Sequence, residues 1–402
     1  MGELFWRSVM TNSLFALAAI ASFSLMIWIV LTFFRGAFWQ FRAFDDDLAS
    51  HHPLQNWPRI VAIVPARNEE ETIARTAESL IAQDYPGEFQ IIVVDDHSED
   101  ATSALARQAA QQGGAGGRVT ILQAASLEPG WTGKLWALQQ GISHAESFAP
   151  DYFWFTDADI VHAPDTLFRL VSRAETRRLD LASLMVLLQA RTFPERLLIP
   201  PFVYFFLKLY PPKWIADPKA RTAGAAGGCI LLRNKALEGF GGLAAIQEEV
   251  IDDCALARAV KRSGGVIWMG LTRDSVSLRA YSTLAEIRDL IARTAFTQLS
   301  YSGLLLLGTV LGMVLTYLSP VVLAFDTQPV VWRVSLAAWA LMTVTYLPTV
   351  RFYRLSPLWA PLLPVAAAFY SYATILSALR YWLGRGGQWK GRSQAPAKPD
   401  TH

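Results

Sequence analysis

Two carboxylates, Asp157 and Asp159, follow the apolar run Tyr152 to Thr156. Carboxylate oxygens are the ligands that hard cations such as Mg²⁺ and Mn²⁺ prefer, and these cations keep coordination positions open for substrate phosphates. The pair therefore predicts a divalent-cation site at the end of a strand, in a protein that handles a nucleotide diphosphate. An isolated Asp-x-Asp pair is more often a turn or a helix cap, so this interpretation depends on the rest of the chain.

A second acidic group, Glu248-Glu249-Val250-Ile251-Asp252-Asp253, precedes the helical pattern of Cys254 to Arg262. Four carboxylates within six residues repel one another unless they cap a helix, bind a metal or perform acid–base chemistry. Helix capping accounts well for one of them and poorly for four. Asp252 and Asp253 are therefore candidate catalytic residues.

Further polar residues stand where strands are predicted to end or helices to begin. Pro65-Ala66-Arg67-Asn68-Glu69 follows one predicted strand and Asp95-Asp96 another, and carboxylates there suit the hydroxyl and N–H groups of a nucleotide. Lys134 begins a helix and is a candidate diphosphate contact. Gly227-Gly228 allows a backbone to approach a sugar closely. Each group also has an ordinary explanation as a helix cap, a turn or a solvated lysine.

His162, three residues after Asp159, is a candidate additional metal ligand. A histidine whose ring nitrogens are satisfied within the protein is the more common case. We therefore expect His162 to be structural.

Alternating strand and helix patterns extend over residues 58–300. Apolar runs predict strands at 60–64, 90–94, 119–122 and 152–156, with Pro65 ending the first strand. Amphipathic patterns predict helices at 70–82, 99–112, 134–147 and 164–177. This alternation predicts an α/β domain with parallel strands, right-handed crossovers and both sheet faces covered. Because ligands bind beyond the carboxyl ends of such strands, the candidate residues are expected to converge on one crevice.

The sequence outside this domain indicates a membrane protein. The chain has 402 residues, of which 52% are hydrophobic and 17% charged, so it is more apolar than a typical soluble protein. The uncharged stretch 12–34 predicts an uncleaved anchor within residues 1–42. Uncharged stretches at 302–325, 334–350 and 355–379 predict further spans within 302–383, and 384–402 is a polar tail. The segment 193–214 is predicted to be either an interfacial helix or a buried core helix.

Basic residues near the anchor predict the orientation of the chain. Arg35 and Arg42 follow the anchor and Arg7 precedes it, which places the catalytic domain at the cytoplasmic face of the inner membrane. Three C-terminal spans would, however, leave Arg380 and the basic tail outside. Either one apolar stretch is re-entrant or interfacial, or the tail is an exception to the rule.

Composition also limits the classes of partner. A net charge of +2 without a dense basic stripe gives no reason to expect nucleic acid. The two cysteines, Cys229 and Cys254, lack a CxxC spacing, which argues against a disulfide framework or a zinc site.

Taken in order, these motifs resemble the motif series of the family 2 glycosyltransferases with the GT-A fold. The series comprises Pro65 to Glu69, Val94 to Ser98, Gly133-Lys134, Thr156 to Asp159, Gly227-Gly228 and Ile251 to Leu256. The longer strings Pro129 to Lys134, Phe155 to Ile160 and Ile251 to Leu256, and the terminal Gln388 to Arg392, resemble the hopanoid-biosynthesis-associated branch. That branch is allied to carotenoid and ceramide glycosyltransferases.

The resemblance implies a GT-A fold between N-terminal and C-terminal transmembrane helices, a nucleotide-diphosphate sugar donor and Mg²⁺ or Mn²⁺. It implies that Asp95 or Asp96, with Asp96 favoured, contacts the base, and that Asp157 contacts the ribose or the cation. It further implies that Asp159 holds the cation and that Asp253 deprotonates the acceptor, a hydroxylated membrane lipid such as a hopanoid. The other implied donor contacts are Pro65, Ala66, Arg67, Glu69, Lys134, Gly227 and Gly228.

The chain departs from the family pattern at one point. Processive polysaccharide synthases carry Gln-x-x-Arg-Trp near the end of the domain, whereas residues 292–298 here read Ala-Arg-Thr-Ala-Phe-Thr-Gln. This difference favours a single-transfer enzyme over a polymerase. Inversion is expected separately, because a single in-line displacement inverts the anomeric centre. Two alternatives stay open: transfer to polyprenyl phosphate or another lipid, and a non-catalytic lipid-binding scaffold.

Overall fold

The computed structural model describes residues 2–46, 54–115, 117–384, 388–389 and 392–393. The chain forms two compact units, each assembled from segments that are distant in sequence. The α/β unit comprises Phe41–Gln189, Pro212–Ala280 and Gly387–His402. The helical unit comprises Met1–Gln40, Ala190–Pro211 and Tyr281–Gly386.

The α-helices of the described residues are numbered in chain order. They are α1 (Gly2–Phe34), α2 (Ile73–Ile81), α3 (Thr102–Gln112), α4 (Gly133–Ala145), α5 (Thr166–Thr176), α6 (Phe193–Leu209), α7 (Pro212–Ala216), α8 (Asn234–Gly239), α9 (Asp252–Arg262), α10 (Leu284–Thr294), α11 (Gly303–Met313), α12 (Ser319–Leu323), α13 (Pro329–Phe352) and α14 (Leu363–Trp382). The four helices predicted within 70–177 are confirmed as α2 to α5, with bounds that differ from the predicted ones by at most three residues.

An eight-stranded mixed sheet is the centre of the α/β unit, in the order β3-β2-β1-β4-β7-β6-β8-β5. Its strands are β1 (Ile60–Ala66), β2 (Phe89–Asp95), β3 (Val119–Gln123), β4 (Tyr152–Phe155), β5 (Ile160–His162), β6 (Leu181–Leu187), β7 (Ile230–Arg233) and β8 (Ile267–Ser277). Strand β1 is parallel to β2 and β4, and β2 is parallel to β3. The parallel arrangement predicted for the first four strands is therefore confirmed.

Two strands in the second half of the sheet, β7 and β5, run opposite to the other six. Strand β7 runs antiparallel to both β4 and β6, β6 is parallel to β8, and β5 runs antiparallel to β8. The sheet is consequently mixed, and the parallel half ends at β4.

The predicted end of the first strand at Pro65 is wrong. Pro65 pairs with Val94 of β2, and β1 continues to Ala66. The pairing of β1 with β4 stops at Ile63, so on that side Pro65 has no strand neighbour. Its missing N–H therefore breaks no ladder hydrogen bond there, as at a sheet edge.

Burial of both sheet faces explains the composition of the strands and helices. Every residue of β1 is buried, as expected for a strand that is covered on both sides. Helix α2 buries Ile73, Ala77 and Leu80, which lie on one helical face at spacings of four and three residues. The sequence pattern therefore accounts for the layers on which the candidate site is built.

Helix α4 lies unusually close to the sheet because of Gly141. A Cβ atom at Gly141 would lie 2.5 Å from Cγ2 of Ile63 in β1 and 3.2 Å from Cγ2 of Val94 in β2. Real Cβ atoms do not approach to 2.5 Å, so only glycine fits at this position. The first turn of the same helix carries Lys134.

Among the described residues of the helical unit, four helices have the length and composition to cross a membrane. They are Leu14–Phe34, Gly303–Leu323, Pro329–Phe352 and Pro357–Trp382. The anchor and the three C-terminal stretches predicted from the sequence correspond to these helices. The second is interrupted by a π-helical turn, Val314–Leu318, between α11 and α12.

Helix α6, from the segment 193–214, packs within the helical unit. It begins with a capping box in which the Thr192 side chain accepts from Glu195 N and the Glu195 carboxylate accepts from Thr192 N. Tyr204 Oη is 2.9 Å from Thr345 Oγ1, and Tyr370 Oη donates to Leu198 O at 2.8 Å. These buried contacts are those of a core helix, and an interfacial role for 193–214 stays a prediction.

The polar tail predicted for 384–402 lies largely outside the described residues. Within it, Gln388–Trp389 and Arg392–Ser393 form two short antiparallel strands.

Candidate functional site

Lys134 connects carboxylates from two distant parts of the α/β unit. Its Nζ atom lies 2.8 Å from Asp157 Oδ1, just beyond β4, and 3.3 Å from Asp252 Oδ2, at the start of α9. Burial opposes the charged form of Lys134, but the charges of Asp157, Asp252 and Asp253 outweigh it and raise the pKa of the lysine. The ammonium is therefore permanently charged at neutral pH.

Asp253 is held by the backbone. Its Oδ2 accepts a hydrogen bond from Gly227 N at 3.0 Å, and its Oδ1 accepts one from Cys254 N at 2.7 Å. Burial and the negative charge of Asp252 raise the pKa of Asp253 to about 6, against the opposing effects of Lys134 and these two hydrogen bonds. A carboxylate with a pKa near neutrality is suited to accept a proton as a general base.

The two loops that carry these residues are tied together. Thr132 N, just before α4, donates to Gln247 O at 3.0 Å, in the loop before α9. Gly130 has a φ of +84°, a left-handed conformation that favours glycine, and a Cβ there would lie 3.3 Å from Gln247 Nε2. The glycine of the Pro129-Gly130 turn thus permits the close approach that brings Lys134 to Asp252.

Asp159 belongs to a second polar cluster. Its Oδ2 accepts from Ser277 Oγ at 3.1 Å and lies 3.5 Å from Arg279 Nε. Arg279 Nη2 also donates to Glu69 Oε1 at 2.9 Å. Burial and the neighbouring charge of Asp157 raise the pKa of Asp159, whereas Arg279 lowers it. Asp157 and Asp159 are therefore close enough for their charges to repel.

This repulsion fits a divalent cation between the two aspartates. Both offer hard oxygen ligands, and a cation would relieve the charge that raises the pKa of Asp159. Across the described ranges, no cluster of three or more His, Cys, Asp or Glu side chains is arranged to hold a metal. The remaining ligands of a cation here would come from the donor phosphates and water, as is usual for Mg²⁺.

A third cluster lies at the ends of β1 and β2. Arg67 Nη1 donates to Asp96 O at 2.6 Å, and Asp95 Oδ1 accepts from Ser98 N at 3.1 Å. Asn68 N donates to Ser98 Oγ at 3.0 Å, which links the loop after β1 to the loop after β2. These hydrogen bonds fix the loops that carry the predicted base-binding carboxylates.

His162 forms part of a buried hydrogen-bonded chain. Its Nε2 is 2.8 Å from Thr156 Oγ1, and its Nδ1 is 2.8 Å from Ser275 Oγ. Because Thr156 donates its only hydroxyl proton to Gly228 O at 3.0 Å, Nε2 of His162 must donate and Nδ1 must accept. Burial lowers the pKa of His162 to about 3, so the ring is neutral. The expectation of a structural histidine agrees with these contacts.

One cavity brings together six of the residues predicted to bind donor or act in catalysis, namely Pro65, Lys134, Asp157, Gly227, Asp252 and Asp253. The rest of its lining comprises Thr156 and the apolar side chains of Leu135, Leu138, Phe155, Ile230, Leu243 and Leu256. The other predicted residues, namely Ala66, Arg67, Glu69, Asp95, Asp96, Asp159 and Gly228, are not in this lining. Glu69 and Asp159 share Arg279 instead.

Arg279 and Ser277 are site residues that the sequence reasoning missed. They lie at and just beyond the end of β8, which pairs with β5 on one side and β6 on the other. No local signal identifies them, because β8 itself contains Arg273 and Asp274 and because Leu278 separates Arg279 from the end of the strand.

Comparisons with known proteins relate the chain to glycosyltransferases. Residues 61–240 match the model of glycosyl transferase family 2. Over 105 residues, which are 26% of this chain, the sequence is 32% identical to 4,4'-diaponeurosporenoate glycosyltransferase from Staphylococcus aureus. The match spans 25% of that protein, so the chain aligns with about a quarter of the length of the curated relatives.

The fold is similar to that of the mannosyltransferase PcManGT from Pyrobaculum calidifontis, solved in complex with GDP-Man and Mn²⁺. The TM-score is 0.53 at 19% identity, with 90% of this chain and 99% of that chain covered. Residues 61–240 therefore match the glycosyl transferase family 2 model, and the chain has a GT-A-like fold.

Proposed function

We propose that the chain is an inverting glycosyltransferase that moves one sugar from a nucleotide-diphosphate donor, a UDP-sugar, to a hydroxyl group of a membrane lipid. The observation that carries this proposal is the cavity in which Lys134 contacts Asp157 and Asp252 beside the backbone-held Asp253. It combines a fixed positive charge for a diphosphate with a carboxylate that can take a proton.

Each side chain has a defined part in the proposed step. Asp253 takes the proton of the acceptor hydroxyl, whose oxygen forms a bond to C1 of the sugar. The bond from C1 to the diphosphate oxygen breaks, and the nucleoside diphosphate leaves. Because attack and departure occur on opposite faces of C1, the configuration inverts. Lys134 stabilises the negative charge of the leaving diphosphate. A pKa of about 6 lets Asp253 act as a base near neutral pH.

Asp159 and Asp157 would hold a divalent cation, Mg²⁺ or Mn²⁺. When bound, the cation supplies positive charge to the leaving diphosphate. The mannosyltransferase of similar fold was solved with Mn²⁺ and GDP-Man, which supports the same class of cofactor here. The remaining donor contacts that we propose are Pro65, Ala66, Arg67, Glu69, Asp95, Asp96, Gly227 and Gly228.

The acceptor is proposed to be a membrane lipid, and specifically a hopanoid. Four helices of spanning length support membrane attachment, and the partial relative from S. aureus is a carotenoid glycosyltransferase, which supports an apolar acceptor. Sugar nucleotides are made in the cytoplasm, so we propose that the domain faces that side of the inner membrane. The choice of a hopanoid as the acceptor depends on the motif strings that resemble the hopanoid-biosynthesis-associated branch.

The test is sugar transfer by the purified full chain with labelled UDP- and GDP-sugars, Mg²⁺ or Mn²⁺, and membrane lipid extract. We expect a labelled lipid with the wild type and a loss of about a thousandfold or more in rate for Asp253→Asn, the range for a general base combined with its charge. Asp159→Ala should lose both transfer and the response to Mn²⁺. Asp84→Asn, a change at an exposed carboxylate, is the matched control.

Near-normal turnover by Asp253→Asn would contradict a hydroxyl acceptor. It would instead support transfer to polyprenyl phosphate, because an anionic acceptor needs no base. A scaffold without catalysis would show neither transfer nor metal-dependent binding of UDP-sugar in calorimetry.

A further inference from the structure

Lys208 is the only lysine in the segments that form the helical unit. Its Nζ donates to Tyr317 Oη at 2.7 Å and lies 4.9 Å from the centroid of the Tyr317 ring and 5.2 Å from that of Phe205. In the described part of the chain, no carboxylate lies within 4.0 Å of this ammonium, the limit for a salt bridge. A lysine among apolar helices thus has a hydroxyl and two aromatic rings as partners.

These partners do not neutralise the charge. Cation–π contacts are weaker than the hydration that an ammonium loses when it is removed from water. Buried or partly buried charges are normally matched by an opposite charge. The environment of Lys208 therefore favours an anion that the described part of the chain does not supply.

A second cation reinforces this preference. Arg35 Nε donates to Lys208 O at 3.0 Å, and Arg35 Nη2 donates to Leu209 O at 3.4 Å. Arg35 directly follows the apolar helix Leu14–Phe34, one of the four of spanning length. Two positive groups therefore meet where an apolar helix of spanning length ends.

The position of Tyr317 is set by an irregular helical turn. Tyr317 is fully buried within the π-helical turn Val314–Leu318, and Trp28 Nε1 donates to Thr316 O at 2.7 Å in the same turn. The Tyr317 ring packs at 5.5 Å from Trp28 and 5.6 Å from Phe205. Such π-helical turns are rare and occur frequently at functional sites. This turn directs the Tyr317 hydroxyl to Lys208.

We propose that Lys208, with Arg35, binds the phosphate group of a membrane lipid. An ammonium and a guanidinium are the side chains that bind phosphate oxygens through charge-assisted hydrogen bonds. Phe33, Phe34 and Leu209, next to the two cations in sequence, expose 67%, 71% and 46% of their surfaces. An acyl chain would cover these apolar side chains, which a free phosphate ion could not do. Ionisable residues among apolar membrane helices are usually functional.

The test uses the full chain in a neutral maltoside detergent with short-chain phosphatidylglycerol, a diacylglycerol with the same chains, or inorganic phosphate. We expect phosphatidylglycerol to raise the Tm and to bind saturably, and the other two to do neither. Lys208→Met should weaken the apparent Kd for phosphatidylglycerol by at least about tenfold, the loss of one charge-assisted contact. Lys235→Met, at an exposed lysine of the α/β unit, should leave the Kd unchanged.

Two further variants keep the proposal testable if Lys208→Met does not fold. Lys208→Arg should retain binding, and Arg35→Gln should weaken it several-fold. An unchanged Kd in folded Lys208→Met, or in Arg35→Gln when the methionine variant does not fold, would overturn the proposal. An equal Tm rise with diacylglycerol would show that the phosphate is not recognised. An equal rise with inorganic phosphate would show a phosphate-ion site without a lipid.

Discussion

The two units differ in how each surrounds a lysine. In the α/β unit, Lys134 lies among Asp157, Asp252 and Asp253, and their charges raise its pKa. In the helical unit, Lys208 has a tyrosine hydroxyl and two aromatic rings around its ammonium. The first lysine is surrounded by carboxylates, and the second is surrounded by neutral aromatic and hydroxyl groups.

Because their surroundings differ, the two lysines favour different ligands. Around Lys134, three carboxylates share one ammonium, so the site as a whole attracts a cation while Lys134 remains available to a diphosphate. Around Lys208, the guanidinium of Arg35 adds a second positive group, which contacts the Lys208 backbone, and this favours an anion. Similar side chains thus predict different chemistry because their partners differ.

Replacing Lys134 should have the largest effect. Lys134→Met leaves Asp157 and Asp252 without the charge they share, and it removes a contact to the donor diphosphate. We expect kcat/KM to fall about a thousandfold, which corresponds to about 4 kcal/mol of transition-state stabilisation. Steady-state kinetics with Lys134→Arg as the charge-retaining control measures this loss. A loss of less than tenfold would mean that Lys134 only supports the fold.

The pH dependence of stability should show that His162, unlike the two lysines, is buried as a neutral group. His162 is neutral because burial lowers its pKa to about 3, from 6.5 in the unfolded chain. The unfolded chain therefore binds more protons between these pH values, and stability falls as the pH drops from 6.5 towards 3. Between pH 6.5, where the ring is half protonated in the unfolded chain, and pH 4.5, this group should lower the free energy of unfolding by about 2 kcal/mol, since the full slope is about 1.36 kcal/mol per pH unit.

Denaturant unfolding at several pH values would measure this cost. His162→Gln lacks the titrating ring, so its free energy of unfolding should depend less on pH in the same window. Parallel pH dependence in the wild type and the variant would contradict a neutral, buried His162.

The pH dependence of transfer should show the effect of Lys134 on Asp253. With a pKa of about 6, Asp253 is protonated in acid, and kcat should fall about tenfold per pH unit below that value. Because Lys134 lowers the pKa of Asp253, the residual activity of Lys134→Met should have its midpoint at higher pH. An unchanged midpoint would show that Lys134 does not affect the protonation of Asp253.

Replacing Lys208 should have the smallest effect on stability. A cation without a countercharge contributes little to folding, so Lys208→Met in detergent should change the free energy of unfolding by no more than about 1 kcal/mol. Loss of its hydrogen bond to Tyr317 is offset by the lower cost of burying methionine. Thermal unfolding without added lipid measures this. A loss of several kcal/mol would identify Lys208 as a structural residue and would remove the contrast with Lys134.

The sequence predicted those features that depend on neighbouring residues. Apolar runs predict strands β1 to β4. Polar residues that follow strands or begin helices predict the site residues Lys134, Asp157 and Asp252. Asp253, in the same acidic run, does lie in the predicted cavity. The outcome shows that local patterns suffice when strand ends share an edge of a sheet.

Other features could not be predicted because they depend on distant pairing. Asp159 meets Ser277 and Arg279 only because β8 pairs with β5, about 110 residues away in sequence. The insertion of β7 between β4 and β6 is a choice of topology that no local pattern specifies. Likewise, the contact of Lys208 with Tyr317 requires a π-helical turn, which has no recognised sequence signal.

Gly141 has a consequence for mutagenesis of the domain. The glycine lies seven residues, or about 10 Å along the helix, from Lys134, and it sets the spacing between α4 and β1. One added methyl group would wedge helix and sheet apart and carry the ammonium away from its carboxylates. A survey of random missense variants should therefore find inactive proteins with substitutions at Gly141, although this residue touches no substrate.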